Sequence, residues 1–359
     1  MSKIEMVNNT IEVSNIEELN SIEEVNDTEK MNDTILRVQG LKKKYVTERS
    51  FFGHEKSSVN AVDDISFFIN RGESFGLVGE SGCGKSTTAR AVLKLIESDG
   101  GKVVFEGKTL FDCENKKEIS SREMSVLRKD MQIIFQDPFA SLDNRMKIGR
   151  IIAEGIEKHK LAKGREALEM ARHYLEICGV DKDAMNRYPH EFSGGQRQRI
   201  VIARALAVQP KFIVADEPVA ALDVSIQAQI INLLNELKEK YALTFLFISH
   251  DLGIVKYFCD RIAVMYLGKI VEIAERDELF ENPLHPYTKK LLESIPVNHP
   301  RLRKTIVNLD EGEAAALSDD REGCSFYNRC RYSSEKCLKE KSQLKEIKKG
   351  HFAACHNIL

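Results

Sequence analysis

Tryptophan is absent from the 359-residue sequence, and no apolar run approaches the roughly 18 to 20 residues that a membrane-spanning helix needs. The N-terminus also lacks the pattern of a secretory signal peptide, a basic segment followed by an apolar stretch. We therefore expect a protein that stays in the cytoplasm, and any role at a membrane has to come through a partner. The content of 42% hydrophobic and 30% charged residues is typical of a soluble globular protein.

A strong excess of charge is missing as well, because the net charge is only −2. Residues 1–34 carry nine acidic side chains against two lysines, a charge of −7, which leaves +5 for the rest. That surplus is too small to indicate a nucleic-acid surface, so no nucleic-acid partner is expected. The acidic segment 1–34 is typical of disorder or of a short, marginal helix. The alternative is a helical stripe that docks on a partner, formed by Ile16, Leu19, Ile22 and Val25.

The clearest motif is G-x-x-x-x-G-K-[ST] at residues 79–86, between an apolar strand, Ser74 to Val78, and a helix-forming stretch. Its glycines let successive backbone N–H groups surround the phosphates of a nucleotide, and the N-terminus of the helix favours the same anion. Lys85 adds a full positive charge, and the Ser86 hydroxyl is placed to bind Mg²⁺. The residues predicted to bind the nucleotide here are Gly79, Glu80, Ser81, Gly82, Cys83, Gly84, Lys85, Ser86 and Thr87.

Short apolar strands alternate with helical stretches along much of the chain, which predicts an α/β fold with a mainly parallel sheet and right-handed crossovers. Polar residues follow four of the strands, namely Gly79, Gln136, the pair Asp216–Glu217, and His250. Such sheets bind ligands at the carboxyl ends of their strands, so these residues are expected to converge on one nucleotide.

Two regions are predicted to extend this core. Ile35–Leu41 and Ala61–Asn70 are predicted strands, joined by a polar loop at Thr47–Ser58. Tyr45 lies just before that loop and is a candidate to stack on an adenine ring, the alternative being an ordinary packed or exposed tyrosine. Residues 145–183 carry apolar side chains at helical spacing, which predicts a small inserted helical subdomain.

Four features suit ATP hydrolysis. Asp216 follows four apolar residues, as expected of a carboxylate that binds Mg²⁺ opposite Ser86, and Glu217 is placed to orient or deprotonate the attacking water. The segment Ser193-Gly194-Gly195-Gln196 opens a second helix and forms a second anion site. One nucleotide rarely needs two such helix ends from one subunit, so this segment is expected to face the γ-phosphate of ATP held by a second subunit. His250 is a candidate to contact that phosphate and Glu217, the alternative being a structural histidine.

Six motifs in this order resemble the ATP-binding cassette (ABC) proteins over residues 35–272: the phosphate loop, Gln136, SGGQ, Asp216–Glu217, Asp223 and His250. The resemblance implies a P-loop NTPase nucleotide-binding domain with a mainly parallel core sheet, an antiparallel β subdomain and the inserted helical subdomain. It also implies a head-to-tail dimer that holds two ATP molecules, with Glu217 as catalytic base. Gln136 would contact Mg²⁺ together with Ser86 and Asp216, and would sense the transmembrane subunits. Asp223 would lie in the loop that crosses the dimer interface.

Residues 273–359 resemble the C-terminal extension of ATP-binding subunits of oligopeptide and dipeptide importers, in Asn282–Thr288 and Leu291–Pro296. The run from Asp216 to Gln229, together with Phe192, resembles the F-type subunit of those systems. This implies a heterodimer with a D-type ATPase subunit, two transmembrane permease subunits, an extracytoplasmic substrate-binding protein, and a peripheral place on the cytoplasmic face of the membrane. The alternatives are an importer of nickel or another small solute, and a non-transport ABC-type ATPase. The single cassette and the short insertion disfavour ribosome-acting and DNA-repair types.

Four of the eight cysteines cluster near the C-terminus, which in a reducing cytosol indicates metal or redox chemistry more often than disulfides. Their spacing lacks the C-x2-C pairs of structural zinc sites, but four thiolates at irregular spacing can hold an iron–sulfur cluster. The resemblance to peptide-importer subunits implies a [4Fe–4S] cluster, while zinc and free thiols remain alternatives and His351 and His356 are possible substitute ligands. The four residues are Cys324, Cys330, Cys337 and Cys355.

Overall fold

A computed structural model describes residues 33–49, 55–295 and 323–358. Residues 1–32, most of the acidic segment, lie outside the described residues. The predictions of disorder or of a docking stripe concern these residues and stay predictions.

Thirteen strands in the described part form two sheets. Their bounds are β1 Thr34–Arg49, β2 Glu55–Asn70, β3 Ser74–Val78, β4 Gly100–Phe105, β5 Lys108–Asp112, β6 Lys117–Glu118, β7 Met131–Ile134, β8 Phe212–Asp216, β9 Thr244–Ser249, β10 Arg261–Tyr266, β11 Lys269–Glu275, β12 Lys345–Lys348 and β13 His351–Ala353.

Ten α-helices connect or flank these strands in the described part. Their bounds are α1 Lys85–Val92, α2 Ser121–Leu127, α3 Ile148–Lys158, α4 Gly164–Ile177, α5 Gly194–Leu206, α6 Val224–Tyr241, α7 Leu252–Phe258, α8 Arg276–Glu281, α9 Pro286–Glu293 and α10 Glu335–Lys339. No helix of the described residues is long and apolar enough to cross a membrane.

The larger sheet has eight strands in the order β12-β13-β11-β10-β3-β9-β8-β7. The pairs from β10 through β3, β9 and β8 to β7 are all parallel, and β3, β8 and β9 are buried along their whole length. Continuous apolar runs are what a parallel sheet covered on both faces requires. The predicted α/β fold with a mainly parallel sheet is thus confirmed, and the carboxyl ends of β3, β7, β8 and β9 lie at one edge.

The smaller sheet is antiparallel, in the order β2-β1-β4-β5-β6. Here the prediction of a loop at Thr47–Ser58 is wrong in extent, because β1 continues to Arg49 and β2 begins at Glu55. The pairing between the two strands continues past Tyr45, which lies opposite Val59. Polar residues are compatible with a strand where one face of an antiparallel ribbon meets water, so polarity alone did not mark the turn.

The predicted helical region contains α3, α4 and a 3-10 helix at Lys182–Asn186. The apolar side chains of α3 and α4 pack together, with Ile152, Ile156 and Leu175 fully buried. Leu168, which the spacing assigned to the same face, is instead 39% exposed.

The C-terminal residues return to the larger sheet, where β13 pairs antiparallel with β11, and β12 with β13. The predicted division at residue 272 falls inside β11, so the strand that ends the cassette also receives the extension.

Candidate functional site

The phosphate loop joins β3 to α1 and has a backbone that only glycine adopts readily. Gly79, Gly82 and Gly84 have φ of +155°, +79° and +110°. A Cβ at Gly79 would lie 2.1 Å from the Met265 carbonyl oxygen, and one at Gly84 would lie 2.0 Å from that of Ala61. The first and last glycines therefore provide close backbone approach as well as positive φ.

Charge is placed over this loop by Lys85, which is buried at the start of α1. Its Nζ donates to the carbonyl oxygens of Gly79 at 2.7 Å and Glu80 at 2.9 Å. Cys83 is buried too, and burial raises the pKa of its thiol despite the nearby Lys85. Its side chain is thus kept as a neutral apolar group, and the loop presents backbone N–H groups and one ammonium.

The two residues predicted to bind Mg²⁺ from opposite sides lie in contact. Ser86 Oγ donates to Asp216 Oδ1 at 2.7 Å, and Asp216 is 2% exposed at the end of β8. Burial raises the pKa of Asp216, and the bond from Ser86 offsets part of that effect. A hydroxyl and a carboxylate at one point are ordinary Mg²⁺ ligands, and a cation would favour the ionised carboxylate that burial disfavours, so the donor set fits the ion.

Glu217 is the centre of a second group of contacts. Gln136 Nε2 donates to Glu217 Oε2 at 3.0 Å, and His250 Nδ1 lies 3.3 Å from Glu217 Oε1. The Glu217 backbone has φ of +48° and its N–H donates to the Ile248 carbonyl of β9. A left-handed glutamate is costly unless its surroundings fix it, and such strain tends to concentrate at functional sites. Three predicted residues from three strand ends therefore meet at one carboxylate.

The SGGQ segment lies at the start of α5 and is exposed. Ser193 Oγ accepts from the Gln196 N–H, and Gln196 Oε1 accepts from the Ser193 N–H at 3.1 Å, which is a capping box. Within the described residues, no hydrogen bond joins this segment to the phosphate loop of the same chain. Asp223 caps α6 without a side-chain hydrogen bond to it and is exposed. Tyr45 is 42% exposed, with Lys43 Nζ 5.6 Å from its ring centroid.

Comparison with known proteins agrees with this geometry. Residues 62–220 match the family described as ABC transporter, and residues 271–337 match the oligopeptide/dipeptide transporter C-terminal region. The oligopeptide transport ATP-binding protein OppF of Bacillus subtilis is 48% identical over 322 residues, 89% of this chain and 96% of that one. The chain belongs to the ABC transporter family. It is therefore an ATPase, and ATP with Mg²⁺ is the nucleotide that this family hydrolyses.

Other relatives agree in length and name. AppF of the same organism is 45% identical over 90% of this chain, and a putative peptide import ATP-binding protein of Brucella ovis is 48% identical over 89%. Among solved structures, the ATP-binding cassette MJ0796, a dimer with ADP and phosphate, aligns with 67% of this ABC chain and 98% of that one, with a TM-score of 0.58 and 25% identity. CbiO1 of Clostridium perfringens aligns with 69% of this chain and 91% of that one, with a TM-score of 0.58 and 26% identity. The predicted P-loop ABC fold is confirmed.

The C-terminal region adds contacts to the phosphate loop of this ABC ATPase that sequence reasoning missed. Arg329 forms two hydrogen bonds of 2.8 Å with the Glu80 carboxylate, and the Glu80 N–H donates to the Tyr287 hydroxyl at 3.0 Å. Tyr287 lies in one of the segments that carried the resemblance to peptide importers, which was a usable signal. Arg329 gave none beyond its place next to Cys330, because the ion pair joins residues 249 positions apart.

The four clustered cysteines come close together but do not form a metal-binding group. Burial raises the pKa of Cys355 to about 11, and the other three thiols add to that rise. However, no three His, Cys, Asp or Glu side chains among the described residues are placed to hold a metal ion. The Cys355 thiol donates to the Asn357 carbonyl at 3.1 Å, and Cys337 Sγ lies 3.4 Å from Ser334 Oγ. The implied [4Fe–4S] cluster is therefore not supported by the arrangement of these thiols, since those of Cys337 and Cys355 contact local partners.

Proposed function

We propose that this ABC ATPase energises the import of oligopeptides or dipeptides across the cytoplasmic membrane. The relatives that match nearly the whole chain are named for peptide transport, and the C-terminal region matches the one described for oligopeptide and dipeptide transporters. The cassette, residues 35–272, supplies the ATP site, and the extension, residues 273–359, distinguishes this type of subunit.

The observation that carries the catalytic part of the proposal is the meeting of Gln136 and His250 at Glu217. The buried end of β8 brings this carboxylate next to Asp216, so a base and an Mg²⁺ ligand are adjacent. In the proposed mechanism Glu217 accepts a proton from the attacking water, and Gln136 and His250 orient the Glu217 carboxylate. Bound Mg²⁺, held by Ser86, Asp216 and Gln136, would supply charge stabilisation for the phosphates.

The test is Glu217→Gln, which keeps the shape and removes the base. We expect MgATP binding to be retained and turnover to fall by about a hundredfold or more, with ATP-bound dimers accumulating. Glu239→Gln, an exposed glutamate of α6, is the control for loss of one negative charge. Turnover near the wild-type rate in Glu217→Gln would contradict the assignment of the base.

The assembly is the second part of the proposal. Ser193–Gln196 is exposed and bonded only within its own helix start, which supports a head-to-tail dimer in which it completes the pocket of a partner ATPase subunit. The partner is proposed to be a D-type subunit, with two transmembrane permease subunits at the cytoplasmic face and an extracytoplasmic binding protein that supplies the peptide. Copurification of the complex followed by identification of the ligand on the binding protein tests this. A nickel or other small-solute ligand there would select the alternative importer.

We further propose that the four thiols take up a metal centre after their local bonds rearrange. What supports this is their proximity. The Cys324 N–H donates to the Cys337 carbonyl at 2.7 Å, and Asn357 is hydrogen-bonded to the sulfur atoms of both Cys337 and Cys355. Anaerobic purification with iron, acid-labile sulfide and zinc analysis decides between cluster, zinc and free thiols. Protein with none of these and no visible absorption would contradict any metal.

A further inference from the structure

The cysteine-containing segment Cys324–Asn357, hereafter the cysteine module, forms hydrogen bonds to the phosphate loop through one arginine in the part of the chain that the structure describes. Arg329 lies in a 3-10 turn, Tyr327–Arg329, with Cys324 before it in the sequence and Cys330 directly after it. The Tyr327 N–H donates to the Cys324 carbonyl and the Cys330 N–H to the Tyr327 carbonyl, both at 3.1 Å. The backbone position of Arg329 is therefore fixed by the turn between two of the clustered cysteines.

The guanidinium of Arg329 is held in one orientation by aromatic rings. Its central carbon lies 5.8 Å from the Tyr266 ring centroid and 5.9 Å from that of Phe326, and the side chain is only 14% exposed. Tyr266, Tyr287 and Phe326 pack against one another with centroids 4.6 to 5.4 Å apart. The Nε atom of Arg329 is buried without a hydrogen-bond partner among the described residues. The pair of hydrogen bonds to the Glu80 carboxylate is thus the main compensation for the positive charge of the Arg329 guanidinium.

Glu80 is restrained at each of its polar groups. Tyr287 accepts from its N–H, Lys85 Nζ and the Cys83 N–H donate to its carbonyl, and Arg329 binds both carboxylate oxygens. This residue is an acid inside a loop whose function is to bind a polyanion. An uncompensated carboxylate beside Lys85 would repel the phosphates and compete for the ammonium.

We propose that Arg329 is a positioning residue for the ATP site, through which the cysteine module neutralises Glu80 and fixes the phosphate loop for nucleotide binding. The inference rests on the proposed assignment of residues 79–86 as the nucleotide site. It adds a partner element from the C-terminal extension, so that the state of the cysteine module and the affinity for MgATP are coupled. Because coupling free energies are reciprocal, bound MgATP stabilises the docked module as much as the docked module strengthens MgATP binding.

The test compares single and double variants of the full-length chain, with the MgATP dissociation constant measured by calorimetry. Arg329→Met leaves the Glu80 charge unpaired, and we expect MgATP to bind about tenfold more weakly. Arg329→Lys keeps the positive charge but cannot form two parallel hydrogen bonds to the carboxylate. Its affinity for MgATP is therefore expected to lie between those of the wild type and Arg329→Met. In the double variant Glu80→Gln with Arg329→Met, the repelling charge is gone, and we expect most of the affinity to return. A merely structural role for Arg329 would leave the double variant as weak as the single one.

The matched control is Arg331→Met, in the same module two residues away, whose side chain is 61% exposed. Its affinity for MgATP is expected to equal that of the wild type. Equal affinity in Arg329→Met and Arg331→Met, or no recovery in the double variant, would overturn the proposal. Lys85→Ala separates this result from the site assignment: if it binds MgATP as tightly as the wild type, the phosphate loop is not the nucleotide site.

Amide hydrogen exchange in residues 323–340 provides a readout that does not depend on the affinity measurement. MgATP is expected to slow exchange there in the wild type and in Arg331→Met, and to lose this effect in Arg329→Met. Exchange that is the same with and without MgATP in the wild type would overturn the coupling. Arg329→Lys gives the same test if Arg329→Met does not fold.

Discussion

At position 84, a single added Cβ atom would be incompatible with the phosphate loop. Gly84 is the last glycine of the phosphate loop and caps α1, and its carbonyl accepts from the Thr88 N–H at 2.9 Å and the Thr88 hydroxyl at 3.0 Å. Its φ of +110° and the Ala61 carbonyl next to it exclude any side chain. The requirement for glycine therefore comes from the neighbouring strand β2 as much as from the phosphates.

We expect Gly84→Ala to abolish MgATP binding and to lower the free energy of unfolding by more than about 3 kcal/mol, since the Cβ would meet the Ala61 carbonyl at 2.0 Å. Gly72→Ala is the control, because Gly72 has a similar positive φ of +72° but nothing within 4 Å of the added Cβ. That change is expected to cost only about 1 kcal/mol. Denaturant unfolding and nucleotide titration check both, and equal costs would refute the steric explanation.

At this scale the sequence predicted the residues that lie at strand ends and nothing that depends on distant pairing. Gln136, Asp216, Glu217 and His250 were predictable because each lies at or just after the carboxyl end of an apolar strand of a parallel sheet. The pairing of Arg329 with Glu80 was not, because a surface-type arginine next to a cysteine carries no periodic or local signal. The bonds of Cys337 and Cys355 to local partners were equally invisible in the spacing of the thiols.

At the scale of elements, the extension is attached to the cassette through β11, which lies between β10 and β13. β13 pairs with it at only two positions, Glu272 opposite Ala353 and Ile273 opposite Phe352. A buried ion pair strengthens this short ladder: His351 is 1% exposed, and its Nε2 lies 2.7 Å from Glu272. Glu272 also accepts the N–H groups of Leu284 and His285 just before α9. One carboxylate therefore connects the strand, the helix and the cysteine module.

This connection makes the docking of β13 sensitive to pH. Burial alone would lower the pKa of His351, but its hydrogen bonds to Glu272 and Glu278 outweigh burial and raise it. Lys348, 3.4 Å from Glu278, and His285, whose backbone N–H donates to Glu272 at 2.9 Å, are further titratable residues around this pair. A raised pKa contributes stability that is complete below the unfolded value, about 6.5, and is lost as the pH rises through the folded value.

We therefore expect the midpoint temperature of thermal unfolding in the wild type to decrease as the pH is raised from about 6 to about 9. In His351→Gln, this decrease with pH should be smaller. Glutamine keeps a hydrogen bond but cannot carry the proton. His173→Gln, an exposed histidine of α4, is the control and should retain the wild-type slope. Equal slopes in all three proteins would show that the His351 pair does not control this transition.

Element boundaries followed the sequence where burial is two-sided and departed from it where one face meets water. β3, β8 and β9 were readable as continuous apolar runs, and all three are buried throughout. β1 and β2 extend into polar residues, where only cross-strand pairing marks a strand. The addition of β12 and β13 to the larger sheet had no signal at all, since it depends on residues far along the chain meeting an open edge.

At the scale of the whole molecule, the proposed head-to-tail arrangement would leave the ATP site of one chain incomplete. The phosphate loop, the proposed Mg²⁺ ligands and Glu217 lie at one edge of the larger sheet. Among the described residues, the side chains of Ser193 and Gln196 form a capping box with each other at the exposed start of α5. An anion site of this kind gains its function only when a phosphate from outside the chain reaches it. The fold therefore predicts that hydrolysis in each pocket depends on a residue that the other subunit contributes.

A substitution in the SGGQ segment should thus impair the opposite pocket while leaving the phosphate loop of its own chain intact. For Ser193→Arg in the assembled complex, we expect turnover to fall by more than about tenfold because the long side chain blocks the approach of the facing γ-phosphate. MgATP binding to the isolated full-length chain should be unchanged, since no hydrogen bond of the described residues joins Ser193 to the phosphate loop of its own chain.

Ser120→Arg is the matched control, because Ser120 also caps an exposed helix start with a capping box, formed with Glu123, and is not one of the predicted site residues. Both substitutions remove one capping bond, worth about 1 kcal/mol, so their effects on stability should be alike. Turnover should then differ between them only through the facing phosphate. If Ser193→Arg weakened MgATP binding to the isolated chain, or if both variants lost turnover equally, the SGGQ segment would act within its own subunit and the head-to-tail arrangement would be wrong.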